Sequence, residues 1–106
     1  MVVIFALALI LMQQPPAEDE SWERLRQRIE LAPQDVATFI ERRTGCHHWD
    51  GEVGGGDRDR EQQVQSERRK LGCDHIESDT QALQAKYQRR PDVLQLISET
   101  ADLEPW

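Results

Sequence analysis

The sequence predicts an all-α fold: a small bundle of four or five short helices with one disulfide, preceded by an N-terminal apolar leader. Three observations predict it. Apolar residues recur at helical spacing and the alternating pattern of a half-buried strand is absent throughout. Prolines and glycines fall between these stretches, where helices start and stop. Two cysteines, Cys46 and Cys73, bracket a segment rich in charge and poor in apolar side chains, which needs an anchor from outside itself.

The leader comes first. Met1 to Met12 is wholly apolar. A bilayer-spanning helix needs about 20 such residues, whereas the core of a signal peptide runs to roughly 7–15. Residues 1–17 are therefore expected to be a signal peptide, with Ala17 the small residue near a cleavage point, and residues 18–106 a single small helical domain delivered to the periplasm or secreted. No cysteine follows the apolar run closely, so neither a lipid anchor nor any other stable membrane anchor is expected once the leader is removed.

From Glu18 onward, Val, Ile, Leu and Phe make up about 18% of the residues, near the level at which high charge begins to predict disorder. The core must be small, and a cross-link is the expected supplement in an oxidising compartment. The net charge of −7 argues against nucleic acid as a partner. It favours encounter with a protein that presents a basic surface.

Ser21 is placed to cap a first helix whose Trp22, Leu25 and Ile29 form one stripe, ended by Pro33. Pro33 and Asp35 suit the start of a second helix, with Val36, Phe39 and Ile40 on its apolar face and Arg42 and Arg43 near its negative end. Gly45 is expected to end that helix and deliver Cys46 just beyond it. Asp50 to Asp57, with four glycines, reads as a loop. It lacks the strand and the Gly-Lys-Ser/Thr ending of a phosphate cradle. A charged helix follows from Asp57 to Leu71, acidic at its start, basic at its finish and closed by Gly72, with only Val64 and Leu71 as apolar anchors. Ser78-Asp79-Thr80-Gln81 has the form of a capping box opening a helix through Leu83 and Tyr87. Pro91 opens the last helix, through Val93, Leu94 and Ile97 to about Ala101. The expected core is Trp22, Phe39, Ile40, Leu71, Leu83, Tyr87, Leu94 and Ile97.

The residues that carry chemistry cluster in Arg43-Thr44-Gly45-Cys46-His47-His48-Trp49 and in Leu71-Gly72-Cys73-Asp74-His75. The main reading of Cys46 and Cys73 is a structural disulfide. A redox enzyme would keep its cysteines two residues apart, so that one attacks and the other resolves. The alternative is a Cys2His2 metal site from Cys46, His48, Cys73 and His75, although these Cys-x-His pairs are tighter than zinc ligands usually are. His47 and His48 with Asp50 or Glu52 form a weaker ligand set. His47, His48 and Trp49 are also the candidate partner-binding residues, with Trp49 either packed over the disulfide and core or anchoring a partner. Trp106, after Pro105, is either frayed or a clasp. No serine lies in a Gly-x-Ser-x-Gly elbow, so no catalytic residue is assigned. No cofactor is expected.

The string from Phe39 through Glu41-Arg42-Arg43, Cys46 and His48-Trp49, followed by Leu71-Gly72-Cys73, resembles a group of small exported alphaproteobacterial proteins. That resemblance covers residues 30 to 100 and implies no activity. The functional expectation is a non-enzymatic exported module acting through protein–protein contacts, with metal binding as the alternative.

Overall fold

The computed structural model describes residues 17–104, with side chains from residue 21. The apolar leader and Trp106 lie outside the described residues. Five α-helices follow one another: α1 (Ala17–Leu31), α2 (Gln34–Gly51), α3 (Arg58–Leu71), α4 (Ile76–Lys86) and α5 (Pro91–Glu99), with a 3-10 turn, Cys73–His75, leading into α4. The described residues contain no strand.

The core sits where the first half of α2 meets α5. Val36, Phe39 and Ile40 interlock with Val93, Leu96 and Ile97, and all six are buried. Leu25 and Ile29 of α1, Ile76 and Leu83 of α4, Tyr87 and Leu103 pack round this centre. Burying a side chain of this kind is worth about 1.5–3 kcal/mol, so α2 and α5 hold most of the apolar stabilisation. Although α5 is only nine residues long, it is the most strongly amphipathic helix, with Val93, Leu96, Ile97 and Thr100 on one stripe.

One charge is built into this core. Arg43, 6% exposed, donates from Nη2 to the Ile97 carbonyl at 2.7 Å and to the Thr100 hydroxyl at 2.8 Å. Its guanidinium lies 4.9 Å from the centre of the Phe39 ring. Arg43 therefore serves a helix terminus, as its sequence position indicated, but that of α5 and not its own. Burial lowers its pKa, and the charge of Asp102 works in the opposite direction.

Several boundaries differ from expectation, each for a physical reason. Ser21 does not cap α1, which already begins at Ala17. Gly45 does not end α2, which runs six residues further to Gly51. A helix-ending glycine and a glycine needed for close approach look alike in sequence, and Gly45 is the second kind: a Cβ there would sit 3.0 Å from Leu71 Cδ1. The capping box is not used either. α4 starts at Ile76, so Ser78 lies within its first turn and donates to the His75 carbonyl. Leu94 is only half-buried, while Leu96 takes the core position. Both leucines fit the helical period beside Val93 and Ile97, and the packing against α2 decides between them. Leu83 and Tyr87 are half-buried at the rim of the core, whereas Trp22 and Leu71, expected in the core, are half-buried outside that cluster because Trp22 lies near the start of α1 and Leu71 packs on Gly45 at the end of α3.

α3 matches expectation closely. The Asp57 side chain accepts from the Arg60 N–H at the helix start, Asp59 and Glu61 occupy the first turn, and Arg68, Arg69 and Lys70 the last. Gly72 ends it at φ +67°. No side chain is comfortable there, and a Cβ would also approach an Arg42 nitrogen to 3.0 Å.

Candidate functional site

The chemistry-bearing residues gather where the second half of α2 runs antiparallel to α3. Because α2 continues through Cys46-His47-His48-Trp49, successive side chains turn by about 100° and cannot share one direction. Cys46 and Asp50, four apart, both reach the α3 side. Cys46 is bonded to Cys73 with the two Cα atoms 5.6 Å apart, and Asp50 accepts from Arg68 Nε at 2.8 Å. Cys46 is buried and Cys73 half-buried. The bond joins residues 27 apart, and closing such a loop restricts the unfolded chain by about 3.6 kcal/mol in the loop-entropy account.

Polar side chains continue the seam on both sides of the disulfide. Arg42 Nε donates to the Leu71 carbonyl at 2.9 Å, while its Nη2 reaches the Gly72 carbonyl at 3.4 Å and Asp79 at 3.0 Å. One arginine of α2 thus satisfies the end of α3 and ties down the first turn of α4. At the far end Arg60 pairs with Glu52 at 3.3 Å and lies 5.4 Å from the centre of the Trp49 ring. The His48 and Trp49 rings meet in a T-shaped arrangement with their centroids 5.0 Å apart. The Glu61 carboxylate accepts the Gly54 N–H and closes the turn between the helices. Between the two ends Val64 is fully buried and Leu71 rests on Gly45.

The fates of the predicted site residues follow. Cys46 and Cys73 form the predicted disulfide. Trp49 is half-buried against Arg60 and His48, so it closes the α2–α3 hairpin and is not a member of the core cluster. His47 is half-buried, and His48 and His75 are exposed. The set Cys46, His48, Cys73, His75 is not a thiolate site in this state, because each sulfur is bonded to the other. Among the described residues no group of three His, Cys, Asp or Glu side chains is arranged to hold a metal ion. Asp50 and Glu52, the carboxylates of the weaker set, are engaged by Arg68 and Arg60.

Sequence reasoning missed the arginines as structural ties. For Arg43 the signal was present: Val36, Phe39, Ile40 and Arg43 stand at i, i+3, i+4 and i+7, which places the arginine inside the apolar stripe. For Arg42 and Arg68 no such signal exists, since their partners lie on other helices. Elsewhere, displaced pKa values mark surface ties of the same kind. A hydrogen bond from Lys86 holds Asp35 below its usual range, and one from Arg28 does so for Glu99. No protein-family profile, curated protein or solved structure matches the chain.

Proposed function

We propose that this chain is an exported, non-enzymatic module that works through protein contacts in the periplasm or outside the cell. The observation that carries the reading is the Cys46–Cys73 bond, since disulfides form and persist in oxidising compartments. Three further features support it. No described helix is long and apolar enough to cross a membrane. The surface carries a net charge of −7, which speeds encounter with basic proteins. Several ion pairs, Arg28–Glu99, Arg42–Asp79, Arg68–Asp50 and Lys86–Asp35, fasten one helix to another. The metal alternative, through Cys46, His48, Cys73 and His75, requires the reduced protein.

One experiment addresses both. The full chain, tagged and expressed in cells with an oxidising periplasm, is recovered with whatever it binds, and its thiols and metal content are counted. The expected result is no alkylatable thiol, no stoichiometric metal, and a basic protein released by salt. Two free thiols with one zinc per chain would transfer the reading to metal binding. Measured turnover of a substrate with no retained partner would overturn it outright.

A further inference from the structure

We propose that the groove between α1 and α2 is the docking site for a basic amphipathic helix of a partner protein. This deepens the reading of the chain as a protein-contact module and rests on it. The groove has a volume of about 310 Å³ and is lined by Ile29 and Ala37 with the buried Ile40 beneath. Arg26, Glu30 and Glu41 form its rim. That volume is at the low end for a ligand cleft and suits one or two apolar side chains from a helix laid across it.

Charge selects the occupant. At several other places an acid is paired with a base: Asp35 with Lys86, Asp50 with Arg68, Glu52 with Arg60, Asp79 with Arg42, Asp92 with Arg90 and Glu99 with Arg28. At this groove the acids on the two facing walls are left without such a base. Arg26 turns to Glu23 at 3.5 Å, and neither Glu30 nor Glu41 has an ion pair among the described residues. Each carboxylate follows an apolar groove residue in sequence, Glu30 after Ile29 on one wall and Glu41 after Ile40 on the other. An apolar trough between two uncompensated carboxylates is the complement of an apolar side chain flanked by Lys or Arg, whose long stems cover apolar surface while their charges reach the rim. The larger hollow between α1 and α5, about 620 Å³, lacks this selectivity because Glu99 at its edge is paired with Arg28.

The probe is a fluorescein-labelled synthetic helix of Lys and Leu in amphipathic register, titrated by anisotropy against the full chain, with a Glu/Leu helix of the same pattern beside it. Binding of the Lys/Leu helix should weaken with added salt and fall about tenfold in Glu30→Lys/Glu41→Lys. Asp59→Lys/Glu77→Lys, which reverses two exposed acids elsewhere, should leave it within twofold, roughly the spread expected of a bulk-charge effect. Amide shifts on binding should centre on residues 26–41. Both groove side chains are exposed, and an unchanged circular dichroism melt checks that the variant folds. Equal weakening by the two double variants, or equal affinity for the Glu/Leu helix, would overturn the proposal. A dimer of the free chain that Glu30→Lys/Glu41→Lys dissolves would make a second copy the occupant. Tighter binding after Phe5→Asn/Leu9→Asn would make the chain's own leader the occupant. If the groove fails while a basic partner is still captured, the contact lies elsewhere and the module reading stands; if both fail, the reading falls.

Discussion

The two halves of α2 are held by different chemistry. Its first turns bury Val36, Phe39 and Ile40 against Val93, Leu96 and Ile97, an apolar contact that needs no particular partner atom. Its last turns are fastened by one covalent bond, Cys46–Cys73, and several directed polar ones, from Arg42 to the Leu71 carbonyl and Asp79 and from Arg68 to Asp50. The contrast follows composition. α3 contributes Val64 and Leu71 as its apolar anchors, too little for a helix that long to hold by burial alone, so the chain meets it with a disulfide and arginines. A small acidic domain can thus confine its apolar residues to one end and extend a helix hairpin beyond them.

If this division is right, damage to the first half should be global. Phe39 is 2% exposed and carries Arg43 over its ring. Phe39→Ala should lower stability by about 3–5 kcal/mol, the usual range for truncating a buried aromatic, and amide protection should fall in every helix together. Denaturant midpoints and hydrogen exchange check it. A loss confined to α2 and α5 would show that the two ends do not fold as one unit.

Damage to the second half should be smaller and local. Cys73→Ser should cost about 2–4 kcal/mol, less than the aromatic truncation, and should raise exchange most across residues 57 to 72. The core between α2 and α5 should keep its protection. An unchanged melting temperature on reduction would mean that the arginine ties and the Val64 and Leu71 contacts suffice to hold α3, and the bond would then need a purpose other than stability.

These two regions were not equally legible from sequence. The core end could be read because burial leaves a periodic trace: Val36, Phe39, Ile40 and Ile97 stand where a 3.6-residue repeat puts them. The limits of α3 could be read because Asp57 and Gly72 are end signals with a single local meaning. The seam could be read only at the cysteines, the one residue type that names its own partner. Gly45 carried two meanings and took the less common one. Ser78 matched a local pattern that longer-range ties overrode, since the disulfide at Cys73 and the Arg42–Asp79 pair set the helix start before it. At the groove, Glu30 and Glu41 are ordinary exposed acids in sequence, and only the fold brings them to opposite walls of one trough.

The smallest effect separates the ends by pH. Beside the core, Asp35 accepts from Lys86 Nζ at 2.6 Å, from the Tyr87 hydroxyl at 2.7 Å and from the Val36 N–H at 2.9 Å, joining the start of α2 to the end of α4. The Lys86 bond, with that of Tyr87, lowers the Asp35 pKa from its ordinary value of 3.8, while the same contact raises that of Lys86 from 10.5. The carboxylate's contribution is therefore present above about pH 4 and lost as the pH falls through its lower folded value; the ammonium's is present below about pH 10 and lost as the pH rises through its higher one. Asp35 and Lys86 are exposed to solvent and Tyr87 is half-buried, so the gain is small and screened by salt. Asp35→Asn should be slightly less stable than the native chain at neutral pH, and the two should converge as the solution is acidified, because the carboxylates common to both cancel in the difference. Urea midpoints of the two proteins between neutral and strongly acid pH measure this directly. A gap that stays constant through the acid range would mean that Asp35 acts as a neutral acceptor at the start of α2 and not as half of an ion pair.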